Sequence, residues 1–157
     1  QRMEAERLQQ ERRTLFSEKV LAEVRANEME HAKIAGELRE MLLRNIPLIL
    51  KISQQHEDCN QEKQKIEVSD KDWSQIILSV NKGFNDFTLR LKIQHPALTE
   101  SEIRFCCLVK IRLSVDDLSN IYCVSSAAII KRKYRIKKDR MGITDESKSL
   151  DMILQDF

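Results

Sequence analysis

The sequence predicts an all-α protein in which a long N-terminal coiled-coil helix is followed by a small domain of four to five helices. Only three Gly and two Pro occur in 157 residues, so turn signals for a sheet are scarce, and 33% of the residues are charged. Apolar residues recur at helical spacing along most of the chain. We place the coiled coil and a linker in residues 1–68 and the small domain in residues 69–157.

Residues 1–67 have the pattern of one long helix or of a helical hairpin. Apolar residues in the second half step by four and three, which is typical of a coiled-coil seam, and Asn45 is a polar seam residue that can fix the register. The apolar seam residues are Ile34, Leu38, Met41, Leu48 and Ile52. An earlier set recurs every seven residues in another phase, which predicts a stutter or a loosened coil over residues 27–31. That set is Leu8, Leu15, Ala22 and Met29.

Pro47 and the polar stretch behind it mark the end of this pattern. Proline has no N–H and clashes with the preceding turn, so we expect the helix to kink or end near Ile46, or the chain to fold back there. Residues 53–71 are almost entirely polar, and we interpret them as a frayed helix or a linker. Basic and acidic residues are nearly balanced before this linker, which favours a solvated dimeric coil over a nucleic-acid arm.

The cleanest amphipathic stripe of the sequence follows the linker. Its apolar residues again step by four and three, and they are Trp73, Ile77, Val80, Phe84, Phe87 and Leu91. We predict one helix that begins near Ser69 or Asp70 and stops at His95 and Pro96. The stripe fits a domain core and a dimer seam equally well.

Two short helices are expected next. Thr99 as N-cap, with Glu102 as its return partner, starts the first of them, and Ser114 with Asp117 starts the second in the same way. The first helix carries the apolar residues Ile103, Phe105, Cys106, Leu108, Val109 and Ile111. After a third, basic helix, a short amphipathic helix should close the domain, although a dimer contact is a second option for it. Its apolar residues are Leu150, Ile153, Leu154 and Phe157.

The third helix carries the positive charge of the chain. Residues 125–140 hold seven Lys and Arg and one Asp, a local charge of +6 in a chain whose net charge is +2. Ser125 and Ser126 offer its N-cap, and Val124 can fill the gap to the preceding helix. A small core is expected from Leu118, Ile121, Ile129 and Ile136. Three short helices with tight polar connections, the last one basic, are typical of a helix-turn-helix.

A helix that buries one side and presents cations on the other can enter the major groove of DNA, where Lys and Arg reach guanine edges and phosphates. We expect recognition by Lys131, Tyr134, Arg135 and Lys138 on the outward face. In the N-terminal half, Ser126, Ala127 and Ile130 would lie nearest the base edges. The expected phosphate contacts are Arg132, Lys133, Lys137 and Arg140.

No part of the sequence has the pattern of a catalytic site. The three glycines form no nucleotide loop, and no Ser/His/Asp set is visible. His31 lies on the coil, as the phospho-accepting residue of a histidine kinase does, but Ala32 follows it instead of an acidic residue. The four Cys have no disulfide or zinc spacing and are expected to be buried thiols in a reducing cytoplasm, with His56-x-x-Cys59 as the only ligand-like pair. We predict no enzyme activity, no metal and no cofactor.

The order of motifs in residues 98–136 resembles the LuxR-type helix-turn-helix of bacterial response regulators. The matching residues are Leu98-Thr99-x-x-Glu102, Ser114-x-x-Asp117-Leu118-Ser119, Val124-Ser125, Ile129 and Ile136. The wider arrangement, from Trp73 to a tail ending at Phe157, resembles a bacterial group that carries tetratricopeptide repeats, a membrane span, a coiled coil and this domain at the C-terminus. The chain departs from the LuxR-type pattern at Arg112 for Gly, Ala128 for Thr, Ile130 for Lys, and Asp139-Arg140-Met141 for Lys-Leu.

The resemblance implies a DNA-binding transcriptional regulator of bacterial signal transduction, a homodimer joined by the coil, with double-stranded DNA as its partner. The chain starts at Gln1 and has no apolar run of membrane-spanning length. We therefore expect a fragment of a longer protein, either cytoplasmic or the cytoplasmic part of an inner-membrane-anchored one. The alternative is a coiled-coil interaction module with a degenerate helix-turn-helix that binds no DNA, which Ile130 favours.

Overall fold

The computed structural model describes the backbone of residues 1–45 and 68–157 and the side chains of residues 1–41 and 68–157. These residues form helices and no strand, which confirms the all-α prediction and the long N-terminal helix. The helices are α1 (Arg2–Asn45), α2 (Asp70–Gly83), α3 (Phe87–Gln94), α4 (Glu100–Lys110), α5 (Val115–Tyr122), α6 (Ser126–Arg135) and α7 (Leu150–Asp156), and one π-helical turn (Ile136–Arg140) follows α6. None of them is long and apolar enough to cross a membrane.

Several predictions about the N-terminal half lie outside the described residues. They concern the side chain of Asn45, the kink at Pro47, the seam positions Leu48 and Ile52, the linker up to residue 67, and the pair His56 and Cys59. Within the described part, α1 continues without a break through residues 27–31, where the sequence predicts a stutter or a loosened coil.

The chain divides into two compact units, Gln1–Lys33 and Ile34–Phe157. In the first unit, the large apolar side chains of α1 are exposed, among them Leu8, Leu15 and Phe16. Because they have no partner within this unit, the dimeric coiled coil stays a prediction.

The last part of α1 belongs to the second unit, whereas the sequence places the start of the small domain at residue 69. Ala35 and Leu38 are buried in the core of this unit. Leu38 packs so closely on the last residue of α2 that a Cβ added to Gly83 would lie 2.6 Å from Leu38 Cδ1. Arg39 Nη2 also lies 3.6 Å from Asp117 Oδ2, at the first turn of α5. A contact of this kind between distant segments leaves no trace in local periodicity.

The aromatic stripe predicted as one helix is divided between α2 and α3. The first of these begins at the Ser69 cap, as predicted. Asn85 and Asp86 then adopt left-handed backbone with φ of 58° and 56°, which a right-handed helix cannot continue through. Phe84 and Phe87 on either side of this break are both buried. Residues 68–157 consequently contain six α-helices instead of four to five, and the stripe is core in this unit.

α7 closes the second unit, as the sequence predicts. Leu150 and Leu154 are buried, and the Phe157 ring meets the Phe87 ring edge to face at 5.9 Å between centroids. Lys110 Nζ donates a hydrogen bond to the Leu154 carbonyl at 2.6 Å, which satisfies an otherwise free carbonyl near the helix end. Burial lowers the pKa of Lys110 to about 8.

Arg112 occupies strained backbone in the turn between α4 and α5. Its φ is 64°, and its side chain is exposed. Left-handed backbone costs a residue with a Cβ roughly 1–2 kcal/mol, and glycine avoids this cost. We expect Arg112→Gly to raise the free energy of unfolding by about 1 kcal/mol in urea denaturation. Arg112→Ala removes the same side chain and keeps the strain, so an equal gain in that variant would contradict this account.

Candidate nucleic-acid interface

α5 and α6 are joined by the three residues 123–125. The predicted Ser114 and Asp117 capping box starts α5. Cys123 ends it with left-handed backbone, φ 51°. Ser125 then caps α6 by accepting a hydrogen bond from the Ala128 N–H. Two capped helices with so short a turn lie against each other, and this positions the basic helix.

Val124 is exposed in this turn, so the expectation that it fills the gap between the helices is wrong. Its N–H donates to the Ser119 carbonyl, and the Ser119 hydroxyl donates back to the Val124 carbonyl. These two bonds fix the backbone of Val124, together with the left-handed Cys123 before it. The Val124 side chain consequently points outward. The gap is filled instead by the predicted small core, which is confirmed. Leu118, Ile121, Ile129 and Ile136 are all buried.

The outward face of α6 and the π-helical turn that follows it carry most of the predicted recognition residues. Seven of them are exposed, namely Ser126, Ala127, Ile130, Lys131, Tyr134, Arg135 and Lys138. Lys138 Nζ lies 5.7 Å from the centre of the Tyr134 ring. Lys131 and Arg135 form no ion pair with any side chain in residues 1–41 and 68–157. Two unpaired cations and an aromatic side chain therefore share one open helix face.

Arg132, predicted as a phosphate contact, is half-buried and is held by other side chains of the domain. Its guanidinium lies 4.7 Å from the ring centres of both Phe105 and Tyr122, and Nη2 donates to the Ser101 hydroxyl at 3.2 Å. A planar guanidinium stacks well on aromatic rings. The ring of Phe105 comes from α4, so no inspection of α6 alone could reveal this cradle.

The other predicted phosphate contacts also have intramolecular partners. Lys133 Nζ lies 3.0 Å from Asp151 Oδ1 on α7, and Arg140 Nε lies 3.1 Å from Glu102 Oε1. Lys137 is buried, because the π-helical turn carries its chain to the Asp145 carbonyl, to which Nζ donates at 2.7 Å. Lys137, predicted as a phosphate contact, is therefore engaged inside the domain. The extra residue of a π-turn shifts side chains off the α-helical face, which periodicity cannot anticipate.

The ion pair between Glu102 and Arg140 alters the predicted capping box of α4. The Thr99 hydroxyl accepts from the Glu102 N–H at 3.3 Å, so Thr99 is the N-cap, as expected. The Glu102 carboxylate does not return a bond to the Thr99 N–H and instead pairs with Arg140. A charge-assisted hydrogen bond is the stronger of the two options.

Tyr122, one of the two rings beside the Arg132 guanidinium, is a neutral phenol. Burial raises the pKa of Tyr122 to about 12, so this group is uncharged at neutral pH beside the cations of α6.

Cys106 and Cys107 are buried, as predicted, and burial raises the pKa of the Cys107 thiol to about 12. Cys123 is exposed at the turn, contrary to the expectation of buried thiols.

Replacing Arg132 by alanine tests whether its side chain stabilises the fold or contacts DNA. Arg132→Ala removes stacking on two rings and one hydrogen bond, so we expect the free energy of unfolding in urea to fall by about 1–2 kcal/mol. Arg135→Ala, a matched loss of an exposed guanidinium on the same helix, should change it by less than about 0.5 kcal/mol. Unchanged stability in Arg132→Ala, together with weakened DNA binding, would show that Arg132 leaves its cradle for DNA.

The described residues 1–41 and 68–157 contain no group of three or more His, Cys, Asp and Glu that could hold a metal ion. The features brought together here are a capped basic helix, an open cationic face and a set of cations with intramolecular partners. Compared with known proteins, the chain matches no protein-family model, no curated protein and no solved structure.

Proposed function

We propose that the protein is a DNA-binding transcriptional regulator that places α6 in the major groove of double-stranded DNA. The observation that carries this proposal is the outward face of α6, where Lys131 and Arg135 are exposed beside Tyr134. Lys138 is exposed in the π-helical turn that follows. The opposite side of the helix is anchored by the fully buried Ile129. A helix with one anchored side and one cationic side has the shape and the charge that the major groove accepts.

The cations without an intramolecular partner in the described part of the chain set the expected strength of the electrostatic interaction with DNA. Of the seven Lys and Arg in residues 125–140, Arg132, Lys133, Lys137 and Arg140 have intramolecular partners. Three cations without such a partner among the described residues remain, Lys131, Arg135 and Lys138, and each neutralised phosphate contributes about −0.9 to the slope of log K against log salt. The proposal therefore implies a slope near −3 for each protomer if all three meet phosphates, well below the value for seven.

A homodimer joined by α1 is the second part of the proposal. Dimeric helix-turn-helix proteins place their two reading helices on two half-sites of the DNA. In Gln1–Lys33, Leu8, Leu15 and Met29 are exposed and recur every seven or fourteen residues, so they fall on one helix face. Sedimentation at tens of micromolar measures this directly, and a monomer there would remove the coil from the proposal.

The experiment that tests the function is fluorescence anisotropy of the chain against a labelled random duplex, titrated at several salt concentrations. We expect binding that weakens with salt at the slope given above. The absence of binding even at low salt would contradict the proposal.

A second candidate function is a coiled-coil interaction module whose α6 face contacts protein instead of DNA. Ile130 is 59% exposed and Tyr134 48% exposed, and an apolar side chain beside an aromatic one also suits a protein interface. The same titration separates the two functions, because a protein-contact module would leave the duplex unbound at every salt concentration.

A further inference from the structure

The N-terminal half of α6 faces outward with side chains that offer few hydrogen bonds. Ala127 and Ile130 are both exposed and lie three residues apart, as neighbours on one helix face. Ile130 is 59% exposed, although the adjacent Ile129 is fully buried. The hydroxyl of Ser126, which precedes them, lies 3.3 Å from Asp116 Oδ1. The end of the helix nearest the base edges therefore presents an apolar pair.

The shape of Ile130 gives this pair a fixed direction. A β-branched side chain in a helix strongly favours one χ1 rotamer. Ile130 consequently holds its methyl groups in one place, whereas a long flexible side chain would lose more entropy on binding. Its neighbour Lys131 and, one turn further, Tyr134 are exposed beside it and can hold the helix against the phosphates.

The major groove has only one apolar group that such a side chain can contact, the 5-methyl of thymine. Facing any other base edge, Ile130 would cover a donor or an acceptor without replacing its hydrogen bond to water, which is unfavourable. Contact with the thymine methyl instead buries apolar surface on both partners.

Resting on the proposed function, we infer that Ile130, flanked by Ala127, is a specificity-determining residue that selects thymine in each half-site through its 5-methyl group. Ile130 would thus choose the base, while the cations of the same face would supply most of the affinity. A protein partner that covers Ile130 is the alternative occupant of this surface, and the absence of duplex binding in the experiment below would favour it.

The test begins with selection of bound duplexes from a random pool by the whole chain. In the selected duplex, thymines are then replaced one at a time by deoxyuridine, which pairs in the same way and lacks only the methyl. We expect about fourfold weaker binding at one position of each half-site, as for one buried methyl-sized group, and no change elsewhere. In Ile130→Ala the fourfold difference should disappear, because the apolar partner of the methyl is gone.

The other outcomes are distinguishable. Selected half-sites without a shared thymine, or equal sensitivity to methyl removal in Ile130→Ala, would overturn this inference and leave DNA binding intact. A chain that binds no duplex at low salt would overturn the proposed function and the inference together.

Discussion

Replacing Lys131 and Arg135 together by alanine is expected to weaken binding to a selected duplex by at least about 30-fold. Each lost contact costs roughly 1–3 kcal/mol, and the two together cost at least about 2 kcal/mol. Both side chains are exposed, so the fold should remain intact. Anisotropy at several salt concentrations should also show the slope of log K against log salt reduced by about two if both side chains meet phosphates.

The matched control for this variant is Lys82→Ala with Lys92→Ala. These lysines are also exposed, belong to the same compact unit and carry the same total charge. We expect their loss to change the affinity little, because a contact acts locally whereas net charge acts weakly at a distance in salt. An equal loss of affinity in both double variants would show that net charge, and not the α6 face, causes binding.

Ile129→Ala is expected to lower the free energy of unfolding by about 2–5 kcal/mol, because it removes a fully buried anchor and leaves a cavity under α6. Urea denaturation followed by circular dichroism measures this change. The adjacent residue supplies a closely matched control. Ile130→Ala deletes the same atoms from an exposed position and should change stability by less than about 0.5 kcal/mol.

The two isoleucine variants together locate the inner and outer sides of α6. Similar destabilisation in both would mean that Ile130 is buried in solution, by a second copy or by a rotation of the helix. The thymine preference inferred for Ile130 would then lose its structural basis, whereas a large effect confined to Ile129 would support it.

Features set by short-range chemistry could be predicted from the sequence. Ser69, Ser114 and Ser125 cap helices where expected, since a cap depends on residues only two or three positions away. The buried positions beneath α6 follow from helical periodicity, and so does the exposure of Lys131 and Arg135.

Features set by contacts between distant segments could not be predicted. The Phe105 ring on α4 holds the Arg132 guanidinium, and the Asp151 carboxylate on α7 pairs with Lys133. Their spacing from Ile129 and Ile136 places both cations toward the inner side of the helix, but it does not identify the partner of either one. The sequence does not predict the break at Asn85 and Asp86 either, because the apolar spacing continues unchanged across it. The candidate interface is therefore smaller, and less strongly charged, than the basic run implies.

The close packing of Leu38 on Gly83 limits how far the chain can be shortened from its N-terminus. A shortened chain that begins at residue 69 would keep α2 to α7 but lose Ala35 and Leu38 from the core. Apolar surface that these side chains cover would then meet water, at a cost proportional to its area. The smallest fragment that keeps the whole core consequently starts no later than Ile34, and α1 serves the fold of the domain as well as any assembly of its copies.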